Sequence, residues 1–362
     1  MRIIFVENEN INRNSSGGIM SYLINMSKSL IKKNYKTVLV GSGFKKGKSE
    51  YFSLTYSISN HFIKNNFTFF FKLFFSRFNH LISDEDIFHI QRLEMSLPIS
   101  FRFSNKIICT VHGSQIKSVN AKKGFFSKLF FSIVHYLSLM VVNKIIFVDI
   151  DNFNFYKKNY PWIKDKIELI PISIDTELFY KFNNNSIRKK YNFSTNDKIA
   201  LYVGRLELEK NVDFIIDCFK EIKDDSYKLV IVGSGSQKEK LIINSKNYEN
   251  IIFLGEINHT KIPEIINMAN VLVLCSIFEG SPNIIKEALC CNVPVISTDI
   301  GDVKEVLAKT NGGVILPKVK RKWVNELNNI FIKKSKFGNK ARNLFGLKNM
   351  ITNTEKVYKS VK

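Results

Sequence analysis

Short runs of consecutive apolar residues alternate along this chain with longer stretches in which apolar positions recur every three or four residues. That alternation predicts strands joined by helices, and so parallel sheets. Arg2–Val6 reads as a first strand and is followed by a polar loop, Glu7–Ser16, and Gly17-Gly18. A helix is predicted from about Ile19 to Lys33, with Leu23, Met26 and Leu30 at helical spacing. Further strands are predicted at Thr37–Val40, Ile87–Ile90, Lys106–Val111 and Lys144–Val148. A second series follows a stretch that contains Pro171 and Asn183-Asn184-Asn185, read as a hinge and linker. Its strands are predicted at Ile199–Val203, Lys228–Val232, Ile251–Leu254, Val271–Leu274 and Val293–Ile296. The expected architecture is α/β, with two doubly wound Rossmann-like domains facing each other across a cleft. The expected domains are residues 1–172 and residues 173–344. In such sheets ligands bind beyond the carboxyl ends of the strands.

Two apolar segments invite a membrane reading. Phe62–Ile82 holds eight phenylalanines but is broken by Lys64, Lys72 and Arg77, and Leu129–Val148 contains His135, Asn143 and Lys144. Charge at the centre of a span is costly, so neither is expected to cross a bilayer. Both fit amphipathic helices, with Phe67, Phe70, Phe71, Phe74 and Phe78 on one face. That face either packs on the core or lies at a membrane surface, since basic residues flank it. Only four apolar residues separate Arg2 from Glu7, so no signal peptide is expected.

Charge sharpens the picture. The chain has 362 residues, 45% of them hydrophobic, and a net charge of +22. Residues 1–170 carry 24 basic and 11 acidic side chains, and no acid lies between Glu94 and Asp149. Such a field attracts phosphates, whether of nucleic acid, anionic lipid or a small substrate. A Lys-, Asn-, Ile- and Phe-rich coding bias explains the same charge without function. The five cysteines, Cys109, Cys218, Cys275, Cys290 and Cys291, form no C-x-x-C pair, so reduced thiols in a cytoplasmic protein are expected.

Three strand-to-helix loops carry candidate chemistry. Gly204 allows a tight turn after a strand, and Arg205 and Lys210 place two cations where a helix begins, which suits a diphosphate. Gly233 and Gly235 would let a ligand approach the backbone. A dinucleotide fingerprint would need a third glycine at 238, where Lys238 stands, so a nicotinamide dehydrogenase is disfavoured. The third loop runs Phe278-Glu279-Gly280-Ser281-Pro282-Asn283-Ile284 and continues into a helix with Glu287 about one turn in. A loop carboxylate can meet sugar hydroxyls, a helical one can accept two ribose hydroxyls, and the amides between them form an anion site. A capped loop with a solvated helical glutamate is the plain alternative.

Together these motifs resemble glycosyltransferase family 4, the group 1 retaining enzymes of GT-B fold. Ser16-Gly17-Gly18 resembles the family's glycine loop facing the donor phosphates. Asp86–Ile90 and Thr110-Val111-His112-Gly113 resemble its two strand-end histidine motifs. Pro171–Asp175 resembles the interdomain segment, although the usual Pro-Asn-Gly reads Pro171-Ile172-Ser173. Gly204-Arg205 with Lys210 resembles the diphosphate pair, and Glu279 to Glu287 the two-glutamate motif. Asp299-Ile300-Gly301-Asp302 with Glu305 resembles the next loop, with Asp302 where a second glycine often stands. Phe345–Tyr358 resembles a C-terminal helix that crosses back to the first domain.

The resemblance implies a hexose or N-acetylhexosamine moved, with retention, from a nucleoside diphosphate sugar to a saccharide acceptor. The first domain would bind the acceptor and the second the donor. His112, Glu279, Arg205 and Lys210 would be catalytic. Gly17, Gly18, Gly204, Gly233, Gly235, Gly280, Ser281, Pro282, Asn283, Ile284 and Glu287 would join Arg205, Lys210 and Glu279 around the donor. No metal or other essential cofactor is implied. A UDP-sugar is favoured, with a GDP-sugar as second candidate. A lipid-linked acceptor at the inner membrane face, in polysaccharide or lipopolysaccharide assembly, would use the basic, aromatic first half, with an anionic membrane surface as candidate partner. Two other readings stand beside it: a sugar-nucleotide 2-epimerase of the same fold, and a basic nucleic-acid-binding protein, for which no recognised module appears.

Overall fold

The computed structural model describes residues 2–8, 18–63, 65–76, 78–113, 125–183, 185–332 and 340–361. The chain forms two compact units, one of Met1–Ile172 with Leu347–Lys362 and one of Ser173–Gly346.

The first unit holds β1 (Arg2–Val6), β2 (Lys36–Gly41), β3 (Leu54–Ser57), β4 (Ile87–Ile90), β5 (Lys106–Val111), β6 (Lys144–Phe147) and β7 (Ile167–Leu169). They form one sheet in the order β3-β2-β1-β4-β5-β6-β7, and every pairing is parallel. Alternate residues of β1 feed opposite layers: Ile4 and Val6 join one apolar cluster, Ile3 and Phe5 another. The helices Asn66–Phe75 and Phe125–Val141 lie in the first layer, through Phe69, Phe70 and Leu73 and through Val134 and Leu139. The helices Gly18–Lys32 and Leu347–Ser360 cover the other face, through Leu23, Met26 and Leu30 and through Met350, Ile351 and Tyr358.

The second unit holds β8 (Lys198–Val203), β9 (Tyr227–Val232), β10 (Ile251–Gly255), β11 (Val271–Leu274), β12 (Val295–Ser297) and β13 (Gly313–Ile315). Their order is β10-β9-β8-β11-β12-β13, again all parallel. Both units are Rossmann-like. The order of strands reverses between β1 and β4 in the first sheet and between β8 and β11 in the second, and ligands gather at such switch points.

Three expectations need correction. The phenylalanines of the first apolar segment do not form one stripe: Phe70 and Phe78 are buried, while Phe67 and Phe71 are exposed. The helix there also ends at Phe75. The second apolar segment is a helix only to Val141 and then becomes β6. Of the stretch read as a hinge and linker, Pro171 adjoins the boundary between the units at Ile172, but Asn183 and Asn185 lie inside the second unit, where the Asn183 side chain accepts from the amide of Asn185.

Candidate functional site

In the second unit the sites read from sequence gather at the carboxyl ends of β8, β9, β11 and β12. After β8, the backbone of Gly204 donates to Val232 O at 3.0 Å and that of Leu206 donates to Ser234 O at 2.9 Å. This stitches the β8 loop to the β9 loop. The stitching explains the glycines. A Cβ on Gly233, whose φ is +139°, would lie 1.9 Å from Gly204 O, and one on Gly235 would lie 2.4 Å from Leu206 O. The close approach expected of a ligand is thus made by a neighbouring protein loop.

Lys210 and Glu279 meet directly, with Nζ 2.5 Å from Oε1, and both side chains are largely buried. Sequence reasoning gave one to the diphosphate and the other to the sugar; the structure brings them into contact. Ser276 Oγ also donates to Glu279 Oε1, at 3.0 Å. Arg205 is placed differently. Its side chain is 72% exposed and touches Glu209, four residues on, at 3.4 Å. Glu207 spans to the β9 loop, accepting from the amide and the hydroxyl of Ser236.

The segment after Glu279 turns through Gly280 and Ser281 into the helix Asn283–Cys290. Pro282 stands at its N-cap, with no side-chain cap bond. A helix start with no side chain on its amides is open to an anion. Glu287 lies within this helix, is buried, and receives His259 Nε2 at 3.2 Å. Burial pulls the His259 pKa down, but the hydrogen bond and charge of Glu287, with Asp175, outweigh it and leave the pKa raised. The Glu287 carboxylate thus makes the imidazole easier to protonate than a free one.

Sequence reasoning missed the most buried ion pair among the described residues of this unit. Lys286, one residue before Glu287, is 1% exposed, and its Nζ lies 2.9 Å from Asp302 Oδ2 and 2.7 Å from Ser281 Oγ. Ser281 Oγ donates in turn to Asp302 Oδ2 at 2.7 Å. Asp302 is the residue that departs from the glycine pattern, and a buried lysine answers it. Backbone contact reinforces the link: the amide of Asp302 donates to Gly280 O at 3.1 Å. A Cβ on Gly301, at φ +50°, would lie 2.0 Å from Gly280 O. The β11 and β12 loops are thus one packed body.

In the first unit, Gly17 and the loop before it fall outside the described residues, while Gly18 opens the helix Gly18–Lys32. His89 is fully buried between the Tyr358 hydroxyl and Thr110 Oγ1, each at 2.7 Å, and burial, with the nearby His112, lowers its pKa to about 3. It is a neutral core histidine. His112 sits just past β5, with its Nε2 2.8 Å from Gln91 Oε1 and its ring edge-on to Tyr22. Gln91 Nε2 donates to His89 O at 3.3 Å, which turns the amide oxygen toward His112. His112 Nε2 therefore carries the proton, and Nδ1 keeps its lone pair. Burial, with Arg92, lowers its pKa to about 3. Beside it at the strand ends, Glu7 is buried, and its Oε1 accepts from Arg92 Nε at 3.2 Å. The signal for Glu7 and for Gln91-Arg92 was available, because each directly follows a strand at the switch point.

Residues 183–344 match the family model "Glycosyl transferases group 1". An uncharacterized glycosyltransferase of Methanocaldococcus jannaschii is 32% identical over 208 residues, covering 55% of this chain and 50% of that protein. The chain spans about half the length of the curated relatives it matches. Among solved structures, a sucrose-phosphate synthase from Thermosynechococcus elongatus superposes with a TM-score of 0.82 at 16% identity, over 99% of this chain and 98% of that one. Anabaena HepE, solved with UDP and glucose, gives 0.76 at 16% identity, over 99% and 100%. At that identity the structural likeness shows the fold, which is GT-B.

Proposed function

From the match of residues 183–344 to the group 1 glycosyl transferases, we propose that the chain moves a hexose or N-acetylhexosamine from a nucleoside diphosphate sugar to a saccharide acceptor, with retention of configuration. The observation that carries the reading is the contact of Lys210 with Glu279 beside the uncapped start of the helix Asn283–Cys290. A cation, a carboxylate and helix-start amides that Pro282 does not cap, all within one loop body, suit a diphosphate joined to a sugar.

In this reading Lys210 leaves Glu279 for the diphosphate, which frees the Glu279 carboxylate for sugar hydroxyls. Arg205, whose ion pair with Glu209 is exposed, turns toward the same phosphates. Glu287, fixed by His259, takes the two ribose hydroxyls. The bond from the anomeric carbon to the phosphate oxygen breaks as the acceptor oxygen bonds on the same face. The acceptor proton passes to the departing phosphate oxygen. His112, neutral and oriented by Gln91, keeps the sugar-contacting role that the resemblance implies for it. HepE was solved with UDP and glucose, which favours UDP over GDP as the carrier here. The acceptor reading is a lipid-linked saccharide of cell-surface polysaccharide assembly, motivated by the basic, aromatic first half of the chain.

Calorimetric titration with UDP, GDP and their glucose and N-acetylglucosamine conjugates tests the donor. A UDP-sugar is expected to bind, and its product on an added saccharide to keep the anomeric configuration by NMR. No affinity for any of these nucleotides would remove the reading. A free epimerised sugar formed without acceptor would replace it with the epimerase.

A further inference from the structure

The first unit carries an apolar surface that its core does not use. On the helix Asn66–Phe75, Phe69, Phe70 and Leu73 pack inward, while Phe67, Phe71 and Phe75 face out, Phe75 at 83% exposure. The helix Phe125–Val141 does the same at greater length. Val134, Ser138 and Leu139 are buried, yet Leu129, Phe130, Ile133, Tyr136, Leu137 and Met140 are all exposed. Those positions recur at spacings of three and four, so they form one outward stripe. A surface helix would ordinarily carry polar residues there.

The two stripes are continuous. The Phe67 ring lies 4.8 Å from that of Phe71 and 6.0 Å from that of Phe130. At the other end Tyr136 lies 5.6 Å from Trp162, which is 46% exposed. An aromatic ridge therefore ends in a tyrosine and a tryptophan, the side chains that prefer the boundary between hydrocarbon and water. No helix among the described residues is long and apolar enough to cross a membrane.

Charge selects the occupant. Exposed Lys72 and Lys128 lie on the two helices themselves, and exposed Lys164 follows Trp162. Lys166 Nζ bonds the carbonyls of Met140 and Val142 at 3.0 Å each, capping the end of the longer helix. The sequence has no acid between Glu94 and Asp149. A second copy meeting this face about a twofold axis would set lysines against their symmetry mates. An anionic bilayer offers both hydrocarbon for the ridge and negative headgroups for the lysines.

We propose that the outward faces of the helices Asn66–Phe75 and Phe125–Val141 dock in the headgroup layer of an anionic membrane, with Phe75, Ile133 and Trp162 entering its apolar edge. This goes beyond the acceptor reading and adds a surface at which a lipid-linked acceptor would be met; it stands without that reading.

The chain has only two tryptophans, and Trp323 is fully buried in the second unit. Trp162 emission therefore reports the surface. The probes are vesicles of phosphatidylcholine alone and of phosphatidylcholine mixed with phosphatidylglycerol, each also made with a brominated acyl chain. Binding to the mixed vesicles is expected at low salt, with a blue shift, quenching by the brominated lipid, and partial release at high salt. Phe75→Asp with Ile133→Asp is expected to lower partitioning by at least about tenfold while UDP affinity stays as in the parent. No binding to either vesicle, unchanged binding by the double variant, or binding without quenching of Trp162 would each overturn the proposal. So would a dimer in lipid-free sedimentation that the double variant dissolves. Vesicle binding by a protein with no affinity for any nucleotide would sink the transferase reading and leave this surface standing.

Discussion

Lys286 shows how a single residue can revise a motif. A lysine at 1% exposure is tolerated where groups such as Asp302 and Ser281 meet its ammonium. Removing one partner of a buried pair leaves the other charge uncompensated, at a cost of about 3–5 kcal/mol. Lys286→Ala is therefore expected to lower stability by that order in denaturant titration. Replacing both charges, Lys286→Leu with Asp302→Ala, should return most of it. A double variant no more stable than the single one would show that Lys286 acts through packing alone.

The two glutamates differ at the same scale. Glu287 is buried on His259 within a helix, whereas Glu279 sits in a loop on Lys210. Glu287→Gln is expected to weaken free UDP and UDP-sugar alike, by about 1–3 kcal/mol for bidentate hydroxyl contacts. Glu279→Gln should act on the intact donor and on kcat and spare free UDP. The reverse pattern in calorimetry would exchange the roles. The Glu279–Glu287 spacing was legible in the sequence as a carboxylate pair on one loop and helix. The His259 and Lys286 partners were not, because each meets a residue on another strand's loop.

At the scale of elements, the interior of each sheet could be read and its edges only in part. Every strand predicted from sequence is present, within about two residues at its ends. The three that the pattern leaves out, β3, β7 and β13, are all edge strands. An edge strand is sheltered on fewer sides, so it lacks the continuous apolar run that marks a central parallel strand. Thr55 and Ser57 in β3, and Glu168 in β7, break that run. The phenylalanine stripe failed for a related reason: the helix ends at Phe75, so Phe78 follows its own path into the core. The loops have a testable logic. Gly233 exists for the backbone of Gly204, so Gly233→Ala must displace the β8 loop. Backbone strain of roughly 1–3 kcal/mol is expected, with a parallel loss of nucleotide affinity if that loop binds phosphate. A Gly233→Ala protein with unchanged melting temperature would show that the two loops part at no cost.

At the scale of the whole molecule, the histidines divide the two units. His89, His112 and His135 belong to the first, with pKa values lowered by burial to about 3, about 3 and about 4. His259 belongs to the second and is raised. The signs are opposite. Between about pH 6.5 and their folded values, the first three bind more protons unfolded than folded. The stability they allow is thus complete above about 6.5 and is lost as pH falls. For His89, which is fully buried, the loss by pH 5 is about 2 kcal/mol, at about 1.36 kcal/mol per pH unit. His259 contributes stability that is present below about 6.5 and lost as pH rises through its folded value. Acid therefore weakens the first unit through these groups and does not weaken the second through His259. Calorimetric unfolding from pH 7 to 5 is expected to show the first unit's transition moving down, with the emission of Trp162 changing before that of Trp323. His89→Gln, which keeps a polar side chain between Tyr358 and Thr110, should flatten the pH dependence of that first transition. A variant as acid-sensitive as the parent would assign the sensitivity to other groups, and a second unit that melts first at pH 5 would reverse the order expected of the two.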